Sequence, residues 1–128
     1  MNLLILVAGV ISLLATIGHF TMGRKLYLRP LLESELDPIV KTVFKSLFHY
    51  SSVYLLLSTF FLIRIGIAGS KCLFDPFLVL AFICANFILM GVWQIILALR
   101  SGIEKPLANI FQWLFWLIIG GLILVSLI

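Results

Sequence analysis

The chain has 128 residues, of which 63% are hydrophobic and 11% charged. Soluble domains carry charge at about a quarter of their positions, so a soluble fold would leave most of this surface apolar. The composition excludes that class, offers nothing to a nucleic acid, and points to an integral membrane protein whose first partner is the lipid bilayer. The net charge of +4 is informative through its distribution along the chain.

A bilayer-crossing helix needs about 20 mainly apolar residues. Four runs qualify, at about 3–22, 40–67, 74–99 and 107–128. The first has no Lys or Arg before it, which argues against a cleaved secretory signal and for a retained span. Along it Ala8, Ser12, Ala15 or Thr16, His19 and Gly23 recur at steps of three or four. Such a small-residue stripe suits close helix approach and turns His19 inward.

The first break, GRKLYLRPLLESELDP, holds six charges and two prolines. Arg24, Lys25, Tyr27 and Arg29 form an interfacial cluster that can anchor anionic lipid headgroups, or simply set topology. Leu31, Leu32 and Leu36 alternate with Glu33, Glu35 and Asp37, a pattern that predicts a short amphipathic helix on the membrane surface.

In the second run Lys45, His49, Ser52 and Thr59 share a helical face. The break RIGIAGSKCLFDP ends in Asp75-Pro76, read as the N-cap and first residue of the third helix. On that helix Asn86 and Trp93 share a face, with Gln94 nearby. Asn86 lies near the midplane, where its amide requires a partner on another helix or an internal water. Ala81 and Ala85 make a small-xxx-small pair suited to a membrane partner or a second copy. Cys72 and Cys84 are expected to be free thiols, Cys84 a small buried residue. After the tight turn RSGIEKP, Pro106 suits the first helical position, and Asn109, Gln112 and Trp116 share a face of the fourth run.

Seven of the nine basic residues fall in or beside the first and third loops; only Arg64 and Lys71 lie on the other side. By the positive-inside rule those loops are cytoplasmic and both termini periplasmic in a bacterial inner membrane. Short loops favour antiparallel neighbours. The expected fold is all-α: one transmembrane domain over 1–128, a multi-pass four-helix bundle running up-down-up-down.

His19 and His49 then lie at similar depth, about one turn inside the cytoplasmic interface at about 1.5 Å rise per residue. Polar groups facing lipid tails are costly and normally face the bundle interior. The predicted cofactor site is therefore built by His19, His49, Gln94, Asn109 and Gln112, with Trp116 as a wall and Trp113 in the interfacial aromatic belt. The competing structural reading is that these groups hydrogen-bond between helices, at about 1 kcal/mol or less each.

The pattern GHFTMGRKLYLRPLL with FHYSS resembles that of small four-span bacterial membrane proteins without an established function, over roughly the first half of the chain. In that group a tryptophan precedes the second histidine; here Phe48 does. HFTMGRKL also resembles the membrane anchors of succinate dehydrogenase, in which a haem-ligating histidine is followed by Gly-x-Arg-His-Leu. Here Arg24 directly follows Gly23 and Lys25 replaces the second histidine, and those anchors usually have three spans. That resemblance implies haem or quinone binding near His19.

Three functions compete. The first is a site for haem b, held between His19 and His49, for a quinone, or for a divalent metal held by His19 and His49. The second is a non-catalytic assembly or accessory subunit, alone or as a homo-oligomer. The third is a small transporter, weakened because no acidic residue lies inside any run. Ser51 and Ser52 follow His49 too closely to form a catalytic pair, so the sequence favours a non-enzyme.

Overall fold

The computed structural model describes residues 1–69 and 75–128. Lys71, Cys72 and the first residue of the third predicted run lie outside them. Among the described residues the chain is helical, with no strand.

Helix α1 covers Leu3–Gly18, and the Asn2 side chain caps it by accepting from the Ile5 N–H. It does not stop near residue 22. It runs on as a π-helical segment, His19–Leu28, and then as α2, Arg29–Glu33, giving one continuous helix of 31 residues. The Arg29 N–H bonds Arg24 O, five residues back, in the widened π register. Charge at Arg24, Lys25 and Arg29 limits how deep a helix can sit in lipid but does not end it. Pro30 lies at the start of α2, where its missing N–H follows turns already displaced from α register.

The predicted amphipathic helix does not form beyond Glu33. Ser34 turns its N–H and its hydroxyl back to Leu31 O, at 3.3 and 2.6 Å, and its extended backbone ends the helix. Asp37 then caps α3, Pro38–Ala68, by accepting from the Ile39 N–H at 2.7 Å. Gly69 ends α3 at φ 54°, a left-handed conformation that favours glycine.

Helix α4 covers Phe77–Arg100. The Asp75 carboxylate accepts from the Phe77 N–H at 2.9 Å, and Pro76 rather than Asp75 takes the capping position. The fourth run is broken. A short α5, Pro106–Asn109, is separated from α6, Gln112–Leu127, at Ile110 and Phe111. Asn109 donates its amide to Glu104 O at 2.7 Å, local side chain–backbone bonding that competes with helix continuation.

Among the described residues three helices are long and apolar enough to cross a membrane: Leu3–Glu33, Pro38–Ala68 and Phe77–Arg100; Gln112–Leu127 is apolar but shorter. Leu56, Leu57 and Phe60 on α3, Leu78, Phe82 and Leu89 on α4, and Leu124 and Val125 on α6 are exposed. So continuous an apolar exterior suits lipid rather than water.

Helix α1 packs against α3 and α6, and α6 against α4. Two glycines seat these pairs. A Cβ at Gly66 would lie 2.7 Å from the Leu6 backbone, and one at Gly120 would lie 2.7 Å from Ile88 Cγ1. Ile5, Leu55, Leu62, Phe87, Ile119 and Ile123 fill the core between them. The small-residue stripe of α1 is buried at Ala8, Ser12, Ala15 and Thr16. Ser12 Oγ and Thr59 Oγ1 are 2.7 Å apart, and Thr16 Oγ1 donates to Ser12 O at 2.8 Å. Cys84 is a buried free thiol, and its Sγ donates to Gly120 O at 3.3 Å.

At one end of the bundle the Asn2 N–H donates to Gly66 O at 2.8 Å and Asn2 Nδ2 donates to Ser126 Oγ at 2.7 Å. Those bonds join the start of α1 to the ends of α3 and α6. At the other end lie the π-helical segment, the start of α3, the end of α4 and the start of α6.

Candidate functional site

His19 is the first residue of the π-helical segment and is half-buried against α3. Its Nε2 lies 2.9 Å from Ser52 Oγ and 3.3 Å from Phe48 O. The Ser52 hydroxyl itself donates to Phe48 O at 3.0 Å. Ser52 Oγ is then an acceptor toward the ring, and a carbonyl can only accept, so both contacts require a proton on Nε2. In the neutral imidazole the lone pair is thereby assigned to Nδ1. That nitrogen lies 3.7 Å from where a Cβ at Gly23 would stand. The ring also stacks on Phe48, with centroids 4.0 Å apart.

Beside His19 runs a directed chain of hydrogen bonds. Trp116 Nε1 donates to Gln94 Oε1 at 2.9 Å, Gln94 Nε2 to Gln112 Oε1 at 3.2 Å, and Gln112 Nε2 to the Tyr27 hydroxyl oxygen at 2.8 Å. The relay links α6, α4 and the π-helical segment. Because Tyr27 accepts here, its own O–H remains available as a donor.

Both features border one cavity of ≈390 Å³. His19, Tyr27, Gln94 and Gln112 supply its polar groups, and Phe48, Phe111, Phe115 and Trp116 its aromatic walls. Its volume and composition, mostly apolar with a few placed polar groups, are those of a small-molecule pocket.

Three of the five predicted cofactor-site residues, His19, Gln94 and Gln112, thus meet at one cavity. His49 does not line it. It is exposed and borders a separate groove with Arg24, Lys25, Arg29 and Lys45. Phe48 contacts both imidazoles, stacked on His19 and edge-on to His49 at 5.8 Å. Asn109 is exposed and spent on its turn with Glu104. Of the predicted headgroup cluster, Arg24, Lys25 and Arg29 line the groove, whereas Tyr27 belongs to the cavity. Trp113 donates to Leu107 O at 3.0 Å.

Tyr27, Ser52 and Phe48 were not predicted for the site. The step of four from His19 through Gly23 to Tyr27 carries the signal for Tyr27, provided the helix is continued past Gly23.

The residues do not fit haem b between two histidines. His19 and His49 line separate concavities, Phe48 is stacked on the His19 ring, and His19 Nε2 is committed to α3. Nor does the arrangement support a shared divalent metal: among the described residues no group of three or more His, Cys, Asp or Glu side chains could hold one. Comparison with protein-family models, with curated proteins and with solved structures finds no match to this chain.

Proposed function

We propose that this chain is a small polytopic inner-membrane protein whose cytoplasmic-side cavity binds a quinone-type molecule. Its helices cross the bilayer antiparallel, up-down-up-down, with both termini periplasmic. The seven-to-two division of basic residues across the loops supports this orientation. Helix α6, at 16 residues, is about 24 Å long, short of the hydrocarbon core of about 30 Å. Helix α5 and Phe111 supply the remainder of the fourth span.

One observation carries the ligand reading. The aromatic-walled cavity is bordered by His19, whose Nδ1 is left as an acceptor, and by Tyr27, whose hydroxyl is left as a donor. A quinone ring is flat and apolar, and its polar edge alternates between accepting carbonyls and donating hydroxyls. Tyr27 can donate to a carbonyl, and His19 can accept from a quinol hydroxyl. The relay behind Tyr27 fixes the hydroxyl before a ligand arrives, which limits the ordering cost of binding. Organic extraction of the purified protein, followed by a reduced-minus-oxidised spectrum of the extract, tests the reading. Quinone should be recovered with the natural chain and in smaller yield with His19→Ala; equal traces from both would count against it.

A second reading has its own support. Among the described residues, no buried side-chain nitrogen or oxygen is left without a hydrogen-bond partner. A polar network satisfied internally is also what an accessory membrane subunit needs to hold its helices in register. Ala85 on α4 is exposed and Ala81 partly so, a face then available to a partner or a second copy.

A further inference from the structure

The groove beside His49 is a second concave feature, of ≈830 Å³, and is distinct from the cavity. It lies where the π-helical segment and α2 face the start of α3. Its charge is one-sided. Arg24, Lys25 and Arg29 come from one helix and Lys45 from another, against the single carboxylate of Glu33. Glu33 is spent on Arg29, at 2.7 Å. Among the described residues that is the one ion pair, so Arg24, Lys25 and Lys45 face the groove without a carboxylate partner. Converging like charges repel, and an anion between them relieves the repulsion. His49 adds a ring N–H donor, and Leu28 and Leu32 add an apolar wall.

We infer that this groove binds a phosphate polyanion, a phosphomonoester or diphosphate, carried by a membrane lipid. Four cations and one carboxylate leave an excess of three positive charges. That excess matches a group with two or more negative charges better than the single charge of a phosphodiester. The position favours a lipid as its bearer, because the groove opens at the end of three apolar helices and has leucines beside its cations. An unspecific interfacial charge band would involve every nearby basic residue alike. The groove does not: Lys45 lines it, whereas Lys41, one turn earlier on α3, does not. The inference stands independently of the quinone reading.

The test uses the full chain in neutral detergent, with lipid retention read by native mass spectrometry. The probes are phosphatidic acid, phosphatidylglycerol of the same acyl chains, and inorganic diphosphate as competitor. Phosphatidic acid should be retained in preference to phosphatidylglycerol. Lys45→Gln or Arg24→Gln should weaken retention roughly fivefold each, while Lys41→Gln leaves it unchanged. Arg24 and Lys45 are exposed and Lys41 is partly buried, and unchanged melting of each variant confirms that it folds. Displacement of phosphatidic acid by diphosphate would assign the recognition to the phosphate group alone. Failure to displace it would assign the recognition to the whole lipid. Equal retention of the two lipids, or equal weakening by Lys41→Gln and Lys45→Gln, overturns the inference.

Discussion

His19 Nε2 lies 2.9 Å from Ser52 Oγ, a contact between residues 33 positions apart in sequence. It ties the end of α1 to the middle of α3 and determines which imidazole nitrogen is left for a ligand. Ser52→Ala should therefore act twice. It removes one hydrogen bond, about 1 kcal/mol, and it leaves Phe48 O as the remaining partner of Nε2, so the ring and its Nδ1 lone pair are held less firmly. Melting in detergent should fall by a few degrees, and ligand retention should fall more than melting alone explains. Unchanged retention would separate the serine from the site.

Two glycines, one a helix seat and one open, give predictions of opposite sign. A side chain at Gly66 meets the Leu6 backbone at 2.7 Å, whereas nothing lies within 4 Å of a Cβ at Gly121. Gly66→Ala should force α1 and α3 apart and cost about 1–3 kcal/mol, as overpacking does. Gly121→Ala should be neutral or should stabilise α6 by up to about 1 kcal/mol, as expected for alanine in an open helical position. Thermal melting of both variants in the same detergent checks the contrast.

Gln94 is the centre of the relay, accepting from Trp116 and donating to Gln112. Gln94→Leu should leave the Trp116 N–H unpaired at a cost of about 1–3 kcal/mol. It should also free Gln112 from one partner and shift the fluorescence of Trp116. Gln112→Leu should leave Trp116 in place but release Tyr27. A fluorescence change with Gln112→Leu as large as with Gln94→Leu would contradict the order of the chain.

The proposed periplasmic placement of both termini predicts fusion behaviour. Alkaline phosphatase fused after Ile128 should be active, and the same enzyme inserted in the loop at 101–105 should not. The reverse pattern would move the cavity and the groove to the periplasmic side.

The parts of this architecture that were legible in the sequence rest on periodicity. The spacing of Ala8, Ser12 and Thr16 marks the face on which α1 meets α3, because small residues at steps of three or four allow close approach. Direction around the helix axis was not legible. His19 lines the cavity and His49 a separate groove, with Phe48 in ring contact with both, and nothing in the spacing of two residues on different helices reveals that. Tyr27 was missed because Gly23 and the following charges look like a helix end, whereas the π-helical segment carries the chain through them. Asn109 was misplaced because its amide turns back to Glu104 and breaks the fourth run. Asn86 needed no partner from another helix: its Nδ2 donates to Phe82 O of its own helix at 2.8 Å.

The most direct measurement is a fluorescence titration with a short-chain quinone analogue. It is made on the full chain in nanodiscs, with Trp93→Phe and Trp113→Phe so that Trp116 alone reports from the cavity wall. Quenching should saturate, and Tyr27→Phe or His19→Gln should each raise the apparent Kd roughly five- to tenfold, the equivalent of one hydrogen bond. Quenching that rises linearly with the analogue and is indifferent to both substitutions would contradict a quinone site at His19 and Tyr27.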